Sequence, residues 1–256
     1  MILAIDVGNS HIIIGGIDNS RTYFVERVAT DHTKTEFEYA VNIKNVMEIH
    51  QLPIPFIEGA IVSSVVPPLT DILISAVKKS TKITPMLVGS GMKTGLNIKM
   101  DNPKSVGSDL IVNAVAAIKE YTAPIIVIYM GTATTISVID QKGDYIGGII
   151  FPGLRVSLDS LSSQAAQLPL IGLDKPEQII GKNTNDCMKN GILYGNAAMI
   201  DGIIDQMEKE LNAKASLIAT GELTASVLPL CTHKIRYDDT LLLKGLLILY
   251  EKNRKI

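Results

Sequence analysis

Cysteine is scarce. Cys187 and Cys231 are the only two in 256 residues, too few for a disulfide framework, so two reduced thiols in the cytoplasm are expected. The four histidines, His11, His32, His50 and His233, lack ligand spacing, and a zinc site is not expected. Neither sign of charge dominates. Lys plus Arg number 24 and Asp plus Glu 26, a net charge of −2, and the two signs interleave along the chain. That leaves no electrostatic footprint for nucleic acid. No apolar run approaches the roughly 20 residues of a membrane span. The N-terminus enters a strand at once, without a basic n-region or a small-residue cleavage site, so no signal peptide is expected. Low-complexity runs are also missing, and 46% of the residues are apolar, as in a globular protein. The length suits one large domain or two of half that size.

What is present begins with Ile2–Asp18, ILAIDVGNSHIIIGGID. It reads as an apolar strand, a polar turn at Asp6-Val7-Gly8-Asn9-Ser10, and a second apolar strand from His11 to Ile17. Gly and Asn tolerate the positive φ of tight turns, so a β-hairpin is expected. A carboxylate at the end of a buried strand, followed by Gly and small polar side chains, suits polyphosphate with a divalent metal. Backbone N–H groups approach phosphate oxygens at the Gly, Asn9 and Ser10 donate, and Asp6 holds Mg²⁺ directly or through water. A plain hairpin turn whose Asp caps its own backbone explains the motif equally well.

A second copy favours the first explanation. Ile125–Asp140, IIVIYMGTATTISVID, repeats the strand, Gly turn and strand. Aligning Gly8 with Gly131 places Ile5 on Ile128, Asp6 on Tyr129 and Ser10 on Ala133. Two such units half a chain apart are expected of two homologous lobes facing a shared cleft.

Elsewhere, strands are expected at Arg21–Ala29, Ala60–Val66, Met86–Val88, Tyr145–Phe151 and Ala215–Thr220. Helices are expected at Thr33–His50, Leu69–Lys79, Leu110–Glu120, Leu154–Gln167, Asn185–Leu211 and Thr240–Tyr250. Asp109 then sits in a helix's first turn, where a simple capping carboxylate is the favoured explanation from that segment alone. Gly191 and Gly195, one turn apart in the long helix, cost stability and suggest close approach by another element or subunit. Meanders mixed with αβ units predict an α/β protein of two similar lobes, 1–121 and 122–256.

The ordered set of motifs resembles the type III pantothenate kinases of the sugar kinase/Hsp70/actin superfamily. The set comprises Asp6-Val7-Gly8-Asn9-Ser10, Ser63-Ser64-Val65-Val66-Pro67, Asn102-Pro103 with Val106-Gly107, and Gly131-Thr132-Ala133-Thr134-Thr135. It continues with Gly147-Gly148, Pro152-Gly153-Leu154, Leu168-Pro169, Gly181-Lys182-Asn183-Thr184 and Leu243-Lys244-Gly245-Leu246. The resemblance covers essentially the whole chain. It implies actin-like (ribonuclease H-like) lobes flanking a nucleotide cleft, and transfer of the γ-phosphate of ATP to pantothenate at the start of coenzyme A synthesis. By resemblance, Asp6, Gly8, Asn9, Ser10, Gly131, Thr132 and Gly221 bind ATP, with Asp6 also on the magnesium. Gly107, Ser108 and Asp109 line the pantothenate site, and Asp109 is the general base. Thr184 reaches that site from the partner subunit of a homodimer, and a monovalent cation, potassium or ammonium, assists.

Four positions depart from the family pattern. Met100 stands for a Tyr, Leu110 for an Arg expected to bind the pantothenate carboxylate, and Tyr129 for an Asp tied to the cation. Glu222 stands for the second Gly of a Thr-Gly-Gly near the adenosine. Leu110 cannot form a bidentate charge-assisted bond, a loss of roughly 2–5 kcal/mol for a buried anion. Three activities are compatible with this pattern. One is a pantothenate kinase with compensating contacts, another a binding or regulatory protein on the same fold. The third is a kinase for a small hydroxylated substrate lacking the carboxylate.

Overall fold

In the computed structural model, which describes residues 1–174 and 178–254, the chain forms two compact units. The first comprises residues 1–96, 101–119 and those from 240 onward; the second comprises 97–100 and 120–239.

The first unit is built on β1 (Ile2–Val7), β2 (His11–Ile17) and β3 (Thr22–Ala29), an antiparallel meander. Helix α1 (Glu36–Ile49) follows, with β4 (Gly59–Ser64) parallel to β1, then α2 (Pro67–Thr81) and the short β5 (Met86–Leu87). Sheet order is β3-β2-β1-β4-β5. Every residue of β1 is buried, because helices cover both faces of the sheet. Alternation sorts its side chains. Leu3, Ile5 and Val7 join Ile12, Ile14 and Val62 against Tyr39, Ile43, Leu69 and Leu73 of α1 and α2. Ile2 and Ala4 join Ile61 on the opposite face, against α3 (Ser108–Glu120) and α7 (Leu241–Asn253). By the same period of two, Asp6 and Ser63 lie on the α3/α7 face.

Local sequence explains the helix starts. Thr35 and Glu38 form a reciprocal capping box on α1, of the kind that contributes about 1 kcal/mol. Pro67 and Pro68 open α2, where their missing N–H costs nothing. The expected helix at Leu110 begins two residues earlier, at Ser108, so Asp109 is its second residue.

The second unit repeats the plan. Strands β6 (Ile125–Met130), β7 (Ala133–Ile139) and β8 (Tyr145–Pro152) form the meander, and β9 (Ser216–Thr220) lies parallel to β6. With β10 (Arg236–Tyr237) the order is β10-β9-β6-β7-β8. Its apolar face, Ile126, Ile128, Met130 and Ile136, packs on α4 (Leu154–Gln164) and α5 (Thr184–Leu211). A short α6 (Thr224–Val227) follows β9. The repeat read from the sequence is therefore a repeat of whole sheets. Its ungapped pairing stops at the turn. Residues 8–10 link β1 to β2, but only 131 and 132 link β6 to β7, so Ala133 opens β7 as His11 opens β2.

Helix α7 departs from the expected division at residue 121. Contiguity placed it with the second lobe, but it packs on the sheet of the first. The close fit shows why. A Cβ on Gly15 would sit 2.5 Å from Leu243 Cδ1, and one on Gly245 would sit 2.1 Å from the Val112 carbonyl oxygen.

Candidate active site

In the first unit, Asp6 is the next-to-last residue of β1, beside Ser63, its register partner on β4. Its carboxyl is 2% exposed, and Oδ1 has no hydrogen-bond partner. Burial, reinforced by the nearby Asp109 carboxylate, pushes its pKa up to about 7; a hydrogen bond with Ser63 opposes the rise. An unpartnered carboxylate oxygen in a desolvated position is a hard-oxygen donor that a divalent cation would satisfy.

Asp109 reaches the same neighbourhood from the first turn of α3. Burial raises its pKa, while hydrogen bonds from its own N–H and that of Leu110 lower it. A carboxyl tuned upward is better matched to accepting a proton near neutral pH than an exposed one. Gly107 leaves room for it: a Cβ there would lie 2.5 Å from Asp109 Oδ1. The α3 start is tied to β4 through serines. Ser63 Oγ donates to Ser108 Oγ at 2.9 Å, and Ser108 Oγ donates to the Ser64 carbonyl at 3.1 Å. The Ser108 hydroxyl is thus engaged by the scaffold that aims its neighbour.

The turn at Gly8, Asn9 and Ser10 closes with Gly8 N–H donating to the His11 carbonyl at 3.0 Å. Asn9 and Ser10 are exposed. Asp6, this turn and the Gly107–Asp109 segment all belong to the first unit.

The second unit holds Gly131, Thr132 and Gly221. Gly153 N–H donates to the Thr132 carbonyl at 3.0 Å, bringing the start of α4 to the β6–β7 turn. Gly221, at φ +110°, passes so close to β6 that a Cβ would meet the Met130 carbonyl oxygen at 2.3 Å. Tyr129 occupies the register position that Asp6 holds in the first sheet, between Thr135 and Thr220. Its ring leans over the turn, since a Cβ on Gly131 would lie 3.2 Å from Tyr129 Cζ and Oη. Glu222 is exposed, and Met100 lies beside Gly147. Leu110 is partly buried in the first unit.

Thr184 is the exposed first residue of α5, behind the cap Asn183, whose Oδ1 accepts from Asp186 N–H at 2.9 Å. Further along α5, Gly191, Gly195 and Gly202 each have no atom within 4 Å of where a Cβ would stand. No described element makes the close approach that Gly191 and Gly195 led one to expect. Exposed Ile146, Ile150, Val156 and Leu161 lie on β8 and α4 of the same unit.

The sequence motifs thus locate the carboxylates and both glycine turns. The Ser63–Ser108–Ser64 connection was not foreseen as part of the site, although the Ser-Ser-Val-Val-Pro motif marks two of its members.

Comparison with known proteins identifies the family and the fold. A sequence model of the type III pantothenate kinases matches residues 2–206. The type III pantothenate kinase of Halalkalibacterium halodurans is 44% identical over 254 residues, covering 99% of this chain and 100% of that protein. That of Bacillus cytotoxicus is 44% identical over 253 residues, covering 99% and 97%. Among solved structures, a conserved Campylobacter jejuni protein assigned to the Baf family of transcriptional activators aligns with a TM-score of 0.61. It is 18% identical and covers 98% of each chain. The activator of 2-hydroxyisocaproyl-CoA dehydratase from Clostridium difficile, solved with bound ADPNP, aligns with a TM-score of 0.56. It is 11% identical and covers 100% of this chain and 98% of its own. These structural likenesses concern the fold, which is the α/β, actin-like arrangement expected from the sequence.

Proposed function

The chain belongs to the type III pantothenate kinase family, an ATP-dependent kinase family, and on that premise we propose how its residues divide the phosphorylation of pantothenate. Asp109 accepts the proton of the pantothenate hydroxyl as its oxygen attacks the γ-phosphorus and ADP leaves. The observation that carries this is a half-buried carboxyl of raised pKa, given space by Gly107 and aimed by the serine connection to β4. Phosphoryl transfer asks the protein mainly to position reactants and neutralise charge. The turns at Gly8–Ser10 and at Gly131–Thr132, with Gly221, bind the nucleotide. Asp6 holds the magnesium of Mg-ATP, which when bound offsets phosphate charge; the unpartnered Oδ1 fits that role. Gly107 and Ser108 border the acceptor. The site works in the cytoplasm.

Residue 129 does not fit a monovalent-cation site of the carboxylate kind, because a phenol is neutral near pH 7. A coupled assay of ATP consumption, with and without pantothenate, in sodium and in potassium buffers, tests both statements. ATP consumption is expected to depend on pantothenate and to change less than about twofold between the two cations. Strong potassium activation would show that other oxygens build a cation site. Absence of any pantothenate dependence would favour an acceptor without a carboxylate, which Leu110 and Met100 suit.

The assembly is a two-fold homodimer built on α5, with Thr184 serving the partner's acceptor site. The open stripe Gly191, Gly195 and Gly202 and the exposed apolar residues of β8 and α4 support this. Light scattering at micromolar concentration is expected to give twice the 27.7 kDa chain mass. A monomer would dismiss both the dimer and the shared role of Thr184.

A further inference from the structure

We propose that Thr30 is a positioning residue for the nucleotide, holding the Gly8–Asn9 and Ser10–His11 peptide planes in the orientation the phosphates require. This rests on the proposed role of the Gly8–Ser10 turn as a phosphate-binding site.

Thr30 is the first residue beyond β3, and it takes hold of the turn at two points. Its Oγ1 donates to the Gly8 carbonyl at 2.6 Å. Its backbone N–H donates to the Ser10 carbonyl at 3.0 Å. In a trans peptide, C=O and N–H point in opposite directions. Holding the Gly8 carbonyl against Thr30 therefore turns the Asn9 N–H away from Thr30, on an exposed residue. Holding the Ser10 carbonyl does the same for the His11 peptide plane. The third closure, Gly8 N–H to the His11 carbonyl at 3.0 Å, leaves the turn little freedom to rotate.

Thr30 is itself anchored to the core. The next residue, Asp31, has both backbone groups bound by one phenol. Its N–H donates to Tyr39 Oη at 3.0 Å, and Tyr39 Oη donates to its carbonyl at 2.8 Å. Tyr39 is 1% exposed on α1, so the turn takes its reference from a packed helix. Donors already oriented when the phosphates arrive incur no reorganisation on binding, which is how fixed dipoles stabilise charge.

The test is Thr30→Val, which keeps the shape and the backbone N–H but removes the Oγ1 donor. The KM for ATP and the Kd for Mg-ADP by calorimetry are each expected to rise about tenfold, the scale of one hydrogen bond. The KM for pantothenate should stay unchanged and kcat should stay within about twofold. Thr30→Ser retains the hydroxyl and is expected to restore nucleotide affinity, which a simple packing role would not predict. Native affinity in Thr30→Val, or equal impairment in Thr30→Ser, would overturn the proposal. If Thr30→Val does not fold, Tyr39→Phe decides, since it releases both bonds on Asp31; unchanged Mg-ADP affinity there would likewise overturn it. Gly8→Ala, whose Cβ would lie 3.0 Å from the His11 carbonyl oxygen, separates the premise from the inference. Unchanged Mg-ADP affinity in Gly8→Ala would remove the phosphate role of the turn and Thr30's role with it. Weakened affinity in Gly8→Ala beside native affinity in Thr30→Val would remove Thr30's role alone.

Discussion

Replacing Asp109 with Asn is expected to lower kcat by roughly 10²–10⁴-fold, the usual contribution of a general base, while leaving the protein folded. The amide oxygen of Asn still accepts from the backbone N–H groups at the start of α3, so the helix keeps its cap; only the proton acceptor is lost. Affinity for Mg-ADP should change little, because the Gly8–Ser10 turn is untouched. A second signature follows from the carboxylate pair. Asp109 is one of the groups raising the Asp6 pKa, so its neutralisation should move the Asp6 titration downward from about 7. Carboxyl-carbon NMR of Asp6 in the native and Asp109→Asn proteins measures that shift. An unchanged kcat would remove Asp109 from the chemistry and return it to the role of a capping residue.

Asp6→Asn is expected to make the ligand-free protein more stable at pH 8 and to abolish Mg-nucleotide binding. The sign follows from proton linkage. Below the ordinary Asp value of 3.8, the carboxyl is protonated in folded and unfolded chains alike. Between 3.8 and about 7, the unfolded chain has released the proton that the folded chain keeps, so native stability falls as pH rises. Above about 7 both are ionised and the cost of the buried charge is complete, about 4 kcal/mol for a shift of that size. Asn carries no such cost. The stability advantage of Asp6→Asn should therefore be small at pH 4 and grow to its full value by pH 8, read from urea midpoints. Parallel pH profiles for the two proteins would show that Asp6 is not held in a desolvated site. A buried, poorly paired carboxylate that destabilises the empty protein is understandable if a cation and phosphates are its working partners.

Several features were legible because they are local. The strand–turn–strand repeat follows from apolar runs interrupted by Gly with small polar residues, and the structure extends it to two sheets of the same order. The starts of α1, α2 and α5 lay within a few residues of expectation, because apolar spacing marks a helix locally; the α1 capping box and the Asn183 cap that fix two of those starts were found in the structure. The unequal turns were not legible. Gly8 and Gly131 align without a gap, and only the strand bounds show that one turn has three residues and the other two.

The order of residues along the chain determined, by itself, the family, the α/β class, and the two carboxylates and two glycine turns on which the chemistry is proposed to rest. Each is written in a contiguous motif whose hydrogen bonding or side-chain period is set by near neighbours. Tertiary structure alone decided what those motifs touch. An apolar helix such as α7 does not specify which sheet it covers; Gly15 and Gly245, each too close to a neighbour to carry a side chain, settle it for the first unit. The Asp6 carboxyl is raised because sheet alternation turns it inward toward Ser63 and brings Asp109 near it, from more than a hundred residues along the chain. Thr30 carries no motif. Its two hydrogen bonds to the turn exist only because β3 returns alongside β2, a long-range register that no local pattern encodes.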